Sequence, residues 1–303
     1  MVSAMKFEML VKGPFDLKNQ SLYFGGYPQM HADPDSIVMA FPIEGWEESA
    51  AVILRQSSMD KVEGEVYGAV DNAARAWDQA LTTLSLDVDG RGWPEVGGRD
   101  KVIGGLQSKY QFLRPLLFSS PYESAAGFLI GHLITIKQKQ VIMSRMSREL
   151  GKKIEVRGES FYAFPDPDAI LSIEKYAGLN DVKIERLHAL ALAALNGSLE
   201  RAYLRSLEIN DALTKLKELP GIGPFFAEGI LHRGAGLVDA ITHDDLTPYA
   251  IEKAYVLPQQ PSALQIDDIS RRWEPFRMWA LVLLHVWLRR EIGLPRRPML
   301  RRK

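Results

Sequence analysis

Cysteine is absent from the 303 residues, which removes disulfides, thiolate metal sites and cysteine nucleophiles at once. Long apolar runs are missing too. The longest near the C-terminal end, residues 280–288, is interrupted by His285, whereas a membrane-spanning helix needs about 20 apolar residues. The opening MVSAMKFEML has neither the basic start nor the long apolar stretch of a secretory signal. Six histidines are present without an HxxxH pair, so no zinc spacing is visible. Asp87 and Asp89 before Gly90 open like a calcium loop, but the downstream glutamate is lacking. Phosphate-binding Walker loops, G-x-G-x-x-G and G-x-S-x-G are all missing, which leaves nucleotide hydrolysis, nicotinamide chemistry and serine hydrolysis without support.

What remains is ordinary globular material, 46% hydrophobic and 25% charged, long enough for two domains. The net charge of −1 hides an asymmetry. Residues 289–303 (RREIGLPRRPMLRRK) carry seven basic side chains and one acidic. A basic end on a mildly acidic body suggests a local contact with phosphate or another anionic surface.

The chain changes period along its length. Ser36–Pro42 and Ala50–Arg55 are short apolar runs bounded by turn residues and read as strands. Ala73–Leu86 reads as a helix, and Asp87–Asp100 as turns. From about Pro121 a helical period takes over: Glu123–Leu150 is one long periodic stretch, Asp181–Leu195 runs from an Asp cap to an Asn-Gly stop, and Asn210–Leu219, Phe225–Leu231, Leu246–Tyr255, Ala263–Trp273 and Pro275–Arg290 follow. The expected architecture is mostly α. An α+β, β-rich N-terminal domain (1–112) precedes an all-helical domain (113–295), and a basic tail (296–303) ends the chain.

One segment carries chemistry. Leu219-Pro220-Gly221-Ile222-Gly223 joins two helices by a tight turn in which two glycines permit positive φ and bring bare amides to the surface. Pro224 then suits a first helical turn. Free N–H groups at such a helix start attract phosphate, and a hairpin of this kind grips nucleic-acid backbone without reading sequence. Downstream, Asp244-Asp245 opens the next helix, where one carboxylate is a natural cap and the other can face a cleft. Trp273-Glu274-Pro275-Phe276-Arg277-Met278-Trp279-Ala280 opens the last long helix.

The order and spacing of L-P-G-I-G, the aspartates and W-x-P-[aromatic]-R-x-[aromatic]-A resemble the helix-hairpin-helix DNA glycosylase superfamily, and within it the 3-methyladenine DNA glycosylase II branch. The resemblance extends over about 120–290, including Phe128–Lys137 and Gly178–Leu199. It implies that Leu219, Gly221, Ile222 and Gly223 hold a DNA phosphate, with a monovalent cation at the hairpin and no other cofactor. It implies Asp245 as the catalytic carboxylate, with Asp244 as the alternative, and Leu133 as the wedge that fills the gap left by a flipped base. The Schiff-base lysine of bifunctional members is replaced by Phe225, which implies base release without strand cleavage. Phe225, Trp279 and Trp287 are the aromatic candidates for the base pocket, and His285 takes the place of an expected pocket tryptophan. The implied partner is double-stranded DNA with alkylated purines, attacked by a monomer in the bacterial cytoplasm or, in a eukaryote, the nucleus. A catalytically silent DNA-binding protein, or a glycosylase for hypoxanthine, uracil or an oxidised purine, are the alternatives.

Overall fold

The computed structural model describes residues 4–24, 30–33, 36–69, 71–242, 244 and 246–293. The N-terminal part is a five-stranded antiparallel sheet of β1 (Met5–Leu10), β2 (Met30–Asp33), β3 (Ser36–Pro42), β4 (Ser49–Ser58) and β5 (Lys61–Tyr67), in the order β1-β5-β4-β3-β2. Helix α1 (Leu17–Phe24) lies between β1 and β2 in sequence, and α2 (Ala73–Thr83) follows β5. All seven residues of β3 are buried. Both faces of the sheet are covered, which is why its central strands are continuously apolar rather than alternating. Phe41, Val52, Leu54 and Val66 pack with Ala76, Trp77 and Ala80 of α2 on one side, and Val38, Ala40, Ala51 and Ile53 pack with Ile154, Val156 and Phe161 on the other.

The second layer comes from a hairpin that the helical period conceals. β6 (Lys153–Val156) and β7 (Glu159–Tyr162) pair antiparallel about Arg157 and Gly158, both at positive φ. The region after Pro121 is therefore helical except for this two-stranded insertion. The stretch 87–100 also differs from expectation: α3 (Trp93–Arg99) and α4 (Lys101–Lys109) occupy 93–109, and Asp100 caps α4 by accepting from the Val102 and Ile103 amides. Trp93 and Val96 hold α3 against the C-terminal helices, a long-range gain that offsets its poor local propensity.

Two helical cores complete the molecule. The first unites α5 (Pro121–Gly131), α6 (Ile136–Leu150), α7 (Pro167–Leu171), α8 (Asp181–Leu195), α9 (Arg201–Ser206), α10 (Ile209–Lys217), α11 (Pro224–Ile230) and a π-helical turn, Leu231–Ala235. The second joins α3 and α4 to α12 (Leu246–Tyr255), α13 (Ala263–Ser270) and α14 (Arg277–Trp287), which runs into a further π turn, Leu288–Ile292. The periodic stretch 123–150 breaks at 132–135 because Thr135 and Gln138 form a reciprocal capping box that starts α6 afresh. No helix among the described residues is long and apolar enough to cross a membrane.

Candidate nucleic-acid interface and base pocket

The hairpin between α10 and α11 is anchored by Ile222, which is buried and donates its amide to the Leu219 carbonyl at 3.0 Å. Leu219 is partly buried against the first helical core. Only Gly221 has positive φ (+83°); Gly223 is extended, with φ −87° and ψ −179°. The two glycines are thus required for different reasons. A Cβ on Gly221 would fall 2.6 Å from the Arg186 side chain beneath it, whereas a Cβ on Gly223 would meet nothing within 4 Å and would project into the space outside. Gly223 leaves its surroundings open; it does not relieve the backbone.

Facing the hairpin is the turn between α5 and α6. Leu133 stands at its tip, 90% exposed and at φ +61°, a conformation that costs an L-residue roughly 1–2 kcal/mol. Lys183 of α8 fastens this turn by donating to the Ile130 and His132 carbonyls at 2.7 and 2.9 Å. An apolar side chain held in solvent on a strained, clamped turn is the opposite of an ordinary core leucine. Leu133, His132, Gly221, Gly223 and Phe225 line one open groove of about 1,020 Å³.

A second cavity of about 300 Å³ lies inward. It shares Phe128, Lys139 and Phe225 with the groove, so the two adjoin. Phe128 is the hub of its aromatic wall: ring centroids lie 6.3 Å from Phe118, 6.2 Å from Phe225 and 5.2 Å from Phe226. Phe225 remains 56% exposed, with one ring available to both spaces. His232 and Arg233 enter the wall from the π turn after α11. A π turn redirects side chains that a continuing α-helix would aim elsewhere.

The far wall is made by α14 and by Thr242 and Asp244, which precede α12. His285 lines the pocket. Burial holds its imidazole down at about 4, the nearby Asp244 charge opposing this only in part, so the ring is neutral near pH 7. Asp244 is a cap: its Oδ1 accepts from the Leu246 and Thr247 amides at 2.9 and 2.7 Å and from the Thr247 hydroxyl at 2.9 Å. Its Oδ1 also lies 4.0 Å from His285 Nε2. Asp245, the carboxylate singled out in the sequence, lies outside the described residues, as do 294–303 with the whole of the 296–303 tail.

Two aromatic expectations are corrected. Trp279 is fully buried, packed 4.8 Å from Phe276 and 5.7 Å from Trp93 with the Arg114 guanidinium 5.1 Å from its ring, and it does not line the pocket. Trp287 is half-buried against the same C-terminal core and is likewise not in the pocket wall. Helical spacing placed both tryptophans on α14 but could not say which face met the core. Sequence reasoning passed over Phe118, Phe128, Lys139 and Arg233; of these, Phe128 and Lys139 stand within or beside the FLIGHLITIK segment that was already conspicuous.

No family model matches the chain. It is 23% identical over 207 residues to a DNA-3-methyladenine glycosylase of Bacillus subtilis, a match spanning 66% of this chain and 68% of that protein. It is 26% identical over 206 residues to a probable bifunctional transcriptional activator/DNA repair enzyme AlkA of Mycobacterium tuberculosis, spanning 67% of this chain but only 40% of the relative. In three dimensions it resembles a 3-methyladenine DNA-glycosylase from Archaeoglobus fulgidus with a TM-score of 0.79 at 21% identity, covering 93% of this chain and 98% of that one.

Proposed function

We propose that this chain, which has the fold of the helix-hairpin-helix DNA glycosylases and relatives named for 3-methyladenine, is a DNA glycosylase that hydrolyses the N-glycosidic bond of alkylated purines in duplex DNA. The observation that carries the reading is the wall that groove and pocket share. A glycine hairpin, an exposed apolar turn and a half-exposed phenylalanine line a groove, and the same phenylalanine lines the aromatic pocket that adjoins it.

In this reading the hairpin amides hold a phosphate beside the lesion. The turn's main-chain carbonyls are hard oxygen donors of the kind a monovalent cation accepts, and such a cation would supply charge next to the phosphate. Leu133 enters the stack as the target nucleotide leaves it, which lowers the cost of an extruded base. Phe225 and Phe128 offer π faces to a base that methylation has made cationic. Such a base is already a good leaving group, so the demand falls on the sugar. Asp245 stabilises the oxocarbenium ion as the bond breaks and orients the water that captures it. Asp244 is committed to its cap, which favours its neighbour for this task. With Phe225 where bifunctional members carry lysine, hydrolysis leaves an abasic site and an uncut strand.

Methylated duplex DNA incubated with the protein, followed by chromatography of the released bases, tests the reading. Wild type should release 3-methyladenine and 7-methylguanine, with strand breaks appearing only after alkali. Asp245→Asn should release neither while binding DNA within a few-fold of wild type. Release undiminished in Asp245→Asn would remove that residue from the mechanism, and no release by wild type would remove the activity.

A further inference from the structure

We infer that Lys139 is a general acid of the base pocket, which extends base release to neutral purines. This rests on the glycosylase reading above. Lys139 belongs to α6 but turns toward α5, where two glycines one turn apart form a trough for its stem. A Cβ on Gly131 would lie 2.7 Å from the Lys139 Cδ, and one on Gly127 would lie 3.6 Å from its Nζ. The ammonium ends 5.6 Å from the centre of the Phe118 ring, in the wall common to groove and pocket. Among the described residues nothing hydrogen-bonds or ion-pairs with it, although solvated surface lies along the same helix. Burial lowers its proton affinity, and the field of Glu123, buried on α5, opposes that. A protonated amine with no acceptor among the described residues, beside a cavity of about 300 Å³, is arranged to give its proton to what enters.

The chemistry separates two kinds of base. An N-alkylated purine is cationic in DNA and departs as a neutral molecule, so it gains little from an acid. An uncharged purine would depart as an anion unless a ring nitrogen is protonated in the same step. Lys139 Nζ transfers its proton to that nitrogen as the C1′–N9 bond breaks and its electron pair moves to the base. Water captures the sugar cation and passes a proton to Asp245 or to solvent, and Lys139 recovers its own from water in the groove.

The experiment compares two duplexes, one carrying 7-methylguanine and one carrying hypoxanthine as the neutral probe, with wild type, Lys139→Met and Lys139→Arg. Single-turnover release of hypoxanthine should fall at least 50-fold further, about 2.3 kcal/mol, than release of 7-methylguanine does in both variants. Arginine keeps the charge but does not surrender its proton near neutral pH, so restored hypoxanthine release in Lys139→Arg would reduce the lysine to a hydrogen-bond donor and overturn the inference. Equal losses on both bases would mark a structural role and overturn it too. Wild type active on 7-methylguanine but silent on hypoxanthine would overturn the inference and leave the proposed function intact; silence on both would overturn the function itself.

Discussion

Glu123 is the residue in which burial and charge are most at odds. It is 1% exposed, its Oε1 has no hydrogen-bond partner among the described residues, and Ser119 donates to its other oxygen. Burial pushes its carboxyl from the usual 4.5 up to about 7, against the Ser119 hydrogen bonds and the Lys139 charge. A carboxyl whose folded value is raised makes the folded state hold its proton longer than the unfolded chain does. Stability therefore falls as pH climbs from 4.5 to about 7 and then levels off. Glu123→Gln should leave the thermal midpoint nearly unchanged at pH 4 and raise stability at pH 8 by on the order of 3 kcal/mol. A variant less stable by the same amount at both values would show that the Ser119 contact, not the charge, sets the balance. None of this is legible in the sequence, where Glu123 sits in the first turn of a helix and reads as favourable to the dipole.

At the scale of elements, the turn between α5 and α6 shows what sequence can and cannot deliver. The helical period on either side is visible, and the sequence reads 123–150 as one unbroken stretch. The turn at the break is also fastened by Lys183 reaching across from α8, and no local pattern announces such a contact. The hairpin β6–β7 escaped for the same reason: its four-residue strands are stabilised by Ile154 and Phe161 docking on a sheet more than 80 residues earlier in the chain. By contrast the bounds of α8 and α12 were legible, since starts and stops are local, although α8 is capped by Asn180, which accepts from the Lys183 amide, and not by Asp181. The position of Leu133 gives a prediction at this scale. Leu133→Ala removes an exposed side chain, so stability should move by no more than about 0.5 kcal/mol. Release of 7-methylguanine from duplex DNA should fall at least tenfold, with release from single-stranded DNA unchanged. Parallel losses on both substrates would show that Leu133 does not act on the stack.

Across the whole molecule, the sequence divides the chain more simply than its packing does. Strands gather at the start and helices at the end, yet α3 and α4 join the C-terminal core and the β6–β7 hairpin covers the N-terminal sheet. Arg114 ties these parts together. It is fully buried and donates to the carbonyls of Lys12 at 2.6 Å, Pro14 at 3.0 Å, Ser85 at 3.1 Å and Val88 at 3.3 Å, with its guanidinium between Phe15 and Trp279. Lysine cannot reproduce that fork. Arg114→Lys should lower unfolding stability by at least about 3 kcal/mol, because buried carbonyls lose charge-assisted donors. A urea midpoint within error of wild type would refute the assignment.

The clamp around Arg114 also has a bearing on acid. Its hydrogen-bond partners are peptide carbonyls, which do not titrate, and burial lowers its own ionisation only to about 10. The base pocket is built differently, from His285 at about 4 and a neighbouring aspartate. As pH falls toward 4 the imidazole takes up charge inside the cavity, while the Arg114 bonds to carbonyls are untouched. Between pH 6.5 and about 4 the unfolded chain takes up a proton that the buried ring refuses, so mild acid should lower stability through this pocket and not through the Arg114 clamp.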